Sequence, residues 1–136
     1  MNGRKRHLIV DTVGLVLKAF VTEAHYPDGT VACWLFRLLP DLLPRLKVLW
    51  ADGAYRGNPV DLATTLGKFR LETIERDPTK KGFQRLPKRW VVERTFAWLT
   101  LHRRLNRDYE YWVQTSDAMI YAVMVRLMLR RLANSR

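Results

Sequence analysis

Hydrophobic positions along the chain fall into short runs whose period changes several times. His7 to Asp11 and Leu15 to Thr22 are β-rich runs separated by Thr12-Val13-Gly14. That gap is short enough to close a hairpin, with Gly14 at the position needing an unusual φ. After the turn signal Tyr26-Pro27-Asp28-Gly29, Val31 to Leu39 is apolar on most faces and stops before Pro40, which predicts a buried helix. The run containing Leu46, Val48, Leu49 and Trp50 ends abruptly on Asp52-Gly53, predicting a strand with a carboxylate at its tip. Asn58-Pro59 reads as an N-cap with proline at the first helical position, opening a short helix that Gly67 stops. Phe69 to Ile74 alternates as a further strand. Residues 77–86, with Pro78, Lys80, Lys81 and Gly82, predict an exposed basic loop. Pro87 to about Leu105 predicts a long helix, followed by an aromatic connector over 106–113 and a final helix capped by Ser116 and running to Leu132.

This order describes an α/β protein: a hairpin on a mixed sheet that also has helical crossovers. A length of 136 residues with 48% hydrophobic composition suits one domain over 1–136 with a real core. The net charge of +11 changes the picture from fold to partner, because nucleic acid is the commonest polyanion such a surface meets. The charge is uneven: residues 1–78 carry eleven Lys and Arg against nine Asp and Glu, residues 79–136 thirteen against four. Cys33 is the one cysteine, which excludes an intrachain disulfide and a cysteine-cluster zinc site and points to a reducing compartment. The basic start is followed by an apolar segment broken by Asp11 and Lys18, unlike a signal peptide. The longest apolar run, Ala118 to Val125, is far below the ~20 residues of a membrane span. The expectation is a soluble, cytoplasmic protein with no membrane partner.

Two acids stand out in this cationic chain. Asp52 sits at the strand tip, and Glu93 lies 41 residues later in the basic, aromatic segment Pro87 to Leu99. Asp-Gly after a strand is also ordinary turn chemistry, and a glutamate flanked by arginines also neutralises its neighbours. The sharper reading is that acids at a strand end and on an adjacent helix converge on magnesium, which takes oxygen ligands and bridges to phosphate. Helical spacing puts Arg89, Glu93, Thr100 and Arg104 on one stripe. Asp11 stands 41 residues before Asp52, but it leads into the hairpin turn, where a side-chain to backbone bond is its expected role. No glycine-rich phosphate loop with its lysine is present, and His7, His25 and His102 share no ligand spacing.

The strings Gly3-Arg4-Lys5-Arg6-His7-Leu8-Ile9-Val10-Asp11-Thr12, Trp50-Ala51-Asp52-Gly53-Ala54-Tyr55-Arg56-Gly57 and Arg89-Trp90-Val91-Val92-Glu93-Arg94-Thr95-Phe96-Ala97-Trp98-Leu99 resemble the DDE transposases of bacterial insertion sequences, in the insertion-sequence-five group of the insertion-sequence-four-like superfamily. Thr115-Ser116-Asp117-Ala118-Met119-Ile120-Tyr121 is similar to that group too, so the likeness covers essentially the whole chain. The resemblance implies a ribonuclease H-like fold and metal-dependent transposition of DNA: hydrolysis at the transposon end, then attack of the freed 3′-hydroxyl on target DNA. It implies Mg2+ or Mn2+ held by Asp52 and Glu93, the second and third acids of the triad. Arg89 would be the signature arginine that contacts a phosphate or orients the carboxylate. Where the signature has a basic residue seven positions after the glutamate, this chain has Thr100, and Arg103 or Arg104 are the candidate substitutes.

In this family the first acid lies on a strand upstream of the segment that begins here at Gly3. The resemblance therefore implies the C-terminal part of a catalytic domain, lacking the first strand of its sheet and incomplete alone, with an unpaired strand edge. Implied partners are double-stranded DNA at transposon ends and target, the upstream half of the transposase, and further copies in a homo-oligomer when complete, in the bacterial nucleoid. Candidate DNA contacts are Lys80, Lys81, Arg85, Lys88, Arg94, Arg103, Arg104 and Arg107, interleaved with aromatic residues. The alternative class is a non-catalytic DNA-binding or regulatory remnant that competes with the full transposase. Both classes imply salt-sensitive DNA binding; they diverge on metal.

Overall fold

The computed structural model describes residues 3–83, 88–107 and 110–135. Its elements are β1 (Arg4–Val10), β2 (Val16–Glu23), α1 (Asp28–Leu42), β3 (Val48–Asp52), a 3-10 turn (Gly53–Tyr55), α2 (Asn58–Leu66), β4 (Arg70–Ile74), α3 (Arg89–Thr100), α4 (Arg103–Asn106) and α5 (Val113–Asn134). They form two compact units, one of residues 1–24 with 90–136 and one of residues 25–89. The fold is mixed α/β, as expected, but the strands pair as two two-stranded sheets, and no ladder among the described residues joins them into one mixed sheet. Each pair joins strands consecutive among the strands of the chain, β1 to β2 through a hairpin turn and β3 to β4 through α2.

In the first unit β1 and β2 pair antiparallel from Arg4 opposite Glu23 to Val10 opposite Val16, with an irregularity between Ile9 and Val10. The turn is built by Asp11, whose Oδ1 accepts from the backbone N–H of Val13 (3.0 Å) and Leu15 (2.9 Å). Gly14 takes φ of +89° there, the conformation that its place in the hairpin predicted. Cross-strand partners share a face, so Leu8, Ala19 and Val21 lie together. They pack with Leu99, Leu105 and Ile120 from α3, α4 and α5.

The outward edge of β2 has no strand beside it among the described residues. Its Val21 N–H donates to Asp117 Oδ1 (2.7 Å), and its Ala19 N–H donates to the Tyr121 hydroxyl (2.8 Å), which lies 3.2 Å from the Ala19 carbonyl. Two α5 side chains one turn apart thus occupy the positions of a neighbouring strand. Burial of this contact pushes the Asp117 carboxyl up, against the Val21 N–H bond and Lys18, which favour its charged form.

The long helix expected over 87–105 is broken: α3 ends at Thr100 and α4 begins at Arg103. Six residues at about 100° each would turn Leu99 and Leu105 to different faces of a straight helix. The break at Leu101-His102 lets both be buried, at 1% and 2% exposure, while Leu101 is 82% exposed. Arg104 therefore does not continue the helical stripe of Glu93. Ser116 is not a cap either; α5 starts at Val113 and Ser116 is buried on the same stripe as Ile120 and Met124.

In the second unit β3 and β4 are parallel, Val48 opposite Arg70 through Asp52 opposite Ile74, connected by the 3-10 turn and α2. Helix α1 begins at Asp28, earlier than the pattern predicted, so the Pro27-Asp28 turn signal is its first turn, with the Asp28 carboxylate at the positive end of the dipole. It also runs through Pro40 to Leu42. Proline in the last turn forfeits one bond to Phe36 only, and buried Leu35, Phe36 and Leu39 hold the helix regardless. The N-cap of α2 is Gly57 rather than Asn58, while Gly67 ends the helix in the left-handed conformation as expected. Phe36 and Phe69 meet edge to face at 5.5 Å in this core.

Replacing Gly14 tests the hairpin's role. A Cβ there would lie 2.9 Å from Thr95 Oγ1 and 3.1 Å from Trp98, on a backbone that L-residues rarely adopt. Gly14→Ala is expected to lower stability by about 2–4 kcal/mol, read as a lower urea midpoint with unchanged slope.

Candidate functional site

Asp52 closes β3 at the carboxyl end of a parallel strand pair, the end at which α/β sheets place their ligand sites. The strand delivers the carboxylate, and the next residues fix it: Asp52 Oδ1 accepts from the Ala54 N–H at 2.9 Å as the cap of the 3-10 turn. The turn chemistry that Asp-Gly after a strand predicts is therefore what the Asp52 side chain performs. Arg56 folds back over Gly53, where a Cβ would lie 3.5 Å from its Nη2, and pairs with Glu75 beyond the end of β4. Tyr55 is the last residue of this turn, its phenol pushed up to about 12 by burial first and then by the charges of Asp28 and Asp52.

On the neighbouring strand, Glu72 accepts from Trp50 Nε1 at 2.8 Å, and this bond, with Arg70, holds its carboxyl low. Lys88 Nζ stands 3.5 Å from the centre of the Trp50 ring. Lys80 and Lys81 are exposed after β4 beside Phe83, which is 95% exposed. Arg85 and the side chain of Arg89 lie outside the described residues.

Glu93 belongs to the other unit. Val91, Thr95 and Leu99 form the buried stripe of α3, and Glu93 is exposed on the opposite side of the helix. Carboxylate oxygens are the donors that Mg2+ and Mn2+ prefer, so Asp52 and Glu93 fit such an ion in kind. They are incomplete in number, since no group of three or more His, Cys, Asp and Glu converges on one point among the described residues.

Arg94 is spent on structure. Its guanidinium lies between Trp90 (4.5 Å) and Trp98 (4.7 Å), one turn before and after it, and its Nη2 donates to the Val13 carbonyl at 2.8 Å. The adjacent Thr95 hydroxyl donates to the Gly14 carbonyl at 2.6 Å. Together they clamp the hairpin turn to α3. Arg131 reaches Trp98 as well, at 4.7 Å. Arg104 is exposed and pairs with Glu110 at 2.7 Å, whereas Arg103 and Arg107 are exposed on and just after α4. The aromatic spacing of Trp90 and Trp98 around Arg94 was visible in the sequence; the backbone carbonyl that the arginine answers was not.

Two outcomes follow from this geometry. Arg94→Lys keeps the charge but loses the flat stacking of guanidinium on indole, so stability falls by about 1–2 kcal/mol while the salt dependence of DNA binding stays unchanged. The Tyr55 phenol, raised in the folded state above its ordinary 10.0, keeps its proton when the unfolded chain has released its own. Stability should therefore hold below about pH 10 and fall as pH rises toward 12. A tyrosinate absorbance titration should show the high step vanish in Tyr55→Phe and move down in Asp52→Asn.

Residues 1–128 match the family model described as Transposase DDE domain. The chain is 34% identical over 116 residues to the "Putative transposase for insertion sequence element IS402" of Burkholderia cepacia, an alignment covering 79% of this chain and 54% of that protein. The chain thus spans about half the length of the curated relative it matches. No solved structure matches it. A family match across nearly its full length, together with this relative, makes the chain a member of the DDE transposase domain family.

Proposed function

We propose that this chain is the C-terminal part of the catalytic domain of an insertion-sequence-five-type transposase with a ribonuclease H-like fold, acting on the bacterial nucleoid. Its reaction is hydrolysis of a phosphodiester at a transposon end, followed by attack of the freed 3′-hydroxyl on target DNA. The observation that carries this reading is Asp52: an acid oriented by its own turn at the carboxyl end of a parallel strand, in a chain of this family.

In this proposal Asp52 and Glu93 are the oxygen ligands of Mg2+ or Mn2+, and the first acid of the set comes from residues outside this chain. When bound, the metal supplies charge stabilisation at the scissile phosphate. Asp52 is held ready for that role by the Ala54 N–H, so little side-chain freedom is lost on binding. Glu93, on the exposed side of α3, offers its carboxylate without disturbing the core. Arg89 opens the same helix one turn earlier and contacts a phosphate or orients Glu93. Lys80, Lys81, Arg85, Lys88, Arg103, Arg104 and Arg107 hold the DNA backbone, while Arg94 contributes through the hairpin it clamps. The complete enzyme works as an assembly with the upstream half and with further copies.

The test is nicking of a duplex oligonucleotide by the chain in Mg2+ and in Mn2+. A weak metal-dependent nick is expected, reduced at least roughly a hundredfold in both Asp52→Ala and Glu93→Ala, with DNA binding retained. Metal-independent binding identical in wild type and variants, with no nick in any, leaves instead the regulatory reading, in which the chain competes with the full transposase for DNA.

A further inference from the structure

We propose that an open cleft in the first unit, lined by Arg4, Arg6, Phe96, Asn106 and Arg107, seats one backbone phosphate of DNA with its sugar against Phe96. The proposal rests on the DNA-binding part of the reading above and adds to it a defined site. Strand alternation puts Arg4 and Arg6 on one face of β1, the face that carries Leu8 into the core. Both therefore project toward the helical side, and both are fixed by backbone carbonyls. Arg6 Nη1 donates to Leu105 at 2.5 Å. Arg4 donates through Nη1 to Glu110 (2.7 Å) and through Nη2 to Tyr111 (2.6 Å).

For Arg6 that bond uses one of five N–H donors among the described residues, leaving the rest of a rigid fork for an anion. A cation locked in place before binding loses less entropy on meeting its ligand. Asn106 and Arg107 are exposed at the end of α4 and add an amide and a third guanidinium. Glu23 stands opposite Arg4 on β2, and the Glu110 carboxylate is engaged by Arg104. Asp108, next to Arg107, lies outside the described residues. Among the described residues the lining includes no acid.

The chemistry of the lining decides the class of occupant. The cleft holds about 280 Å³, at the lower limit of the roughly 300–1,000 Å³ usual for whole small-molecule ligands. That is ample room for a phosphate and its sugar, in a cleft open to solvent on one side. Arginine forks match phosphate oxygens in pairs, and an apolar wall suits the deoxyribose face. A phosphodiester within a strand, whose base remains outside, meets both conditions.

The experiment measures binding of the full chain to a duplex oligonucleotide across a salt series, alongside nitrogen-15 spectra of the Asn106 amide and the Arg107 guanidinium. Arg107→Gln, at an exposed position, is expected to weaken binding roughly tenfold at low salt and to reduce the slope of log K against log salt by about 0.9. The Asn106 and Arg107 signals should shift on adding DNA. Full wild-type affinity and slope in Arg107→Gln would overturn the cleft while leaving DNA binding intact. Shifts produced by inorganic phosphate but not by DNA would overturn it in favour of a free anion. Failure of the wild-type chain to bind DNA at all would remove the reading beneath it.

Discussion

An open strand edge is the constraint around which the first unit is organised. Ala19 and Val21 direct backbone groups away from β1, and no strand among the described residues meets them. A buried N–H without an acceptor costs about as much as several ordinary contacts supply, so the edge must be answered by something. Asp117 and Tyr121 answer it from α5, one turn apart. That docking sets the position of α5, which brings Ile120 onto Ala19, Val21, Leu99 and Leu105. With the core in place, α3 is held where Arg94 and Thr95 can grip the hairpin turn. An edge closed by side chains is also protected from pairing with another chain.

The abundant arginines divide by what they touch. Arg4, Arg6 and Arg94 give N–H donors to backbone carbonyls that helix ends and turns leave unsatisfied. Arg94 gains from stacking as well, and its Nε is nonetheless a buried donor with no acceptor among the described residues. Arg103 and Arg107 remain exposed. A net charge of +11 thus overstates the surface offered to a polyanion, because part of it is structural. The second unit follows a different logic: a strand-helix-strand segment in which the backbone after β3 orients the Asp52 carboxylate.

Much of this was legible in local pattern. The hairpin, the special backbone at Gly14, the turn role of Asp11, the strand ending at Asp52 and the stop at Gly67 all depend on neighbours within a few residues. The misplaced features share another cause. Pro40 predicted a helix end, yet α1 continues because three buried side chains outweigh one lost bond. A continuous periodic pattern predicted one helix through Leu105, yet the chain breaks so that Leu99 and Leu105 can reach the same core. Ser116 had the composition of a cap and became a packing residue instead.

By itself the sequence determined the element types, the family strings, the excess of positive charge and the two acids that draw attention, since each is written in residue identity and short spacing. Only the tertiary structure decided that the strands pair as two sheets, that Arg94 faces a turn carbonyl, and that Arg4 and Arg6 share a cleft with Asn106 and Arg107. The last two outcomes join residues about 80 to 107 positions apart, and which backbone group is left unsatisfied at such a distance is settled by packing rather than by any local rule.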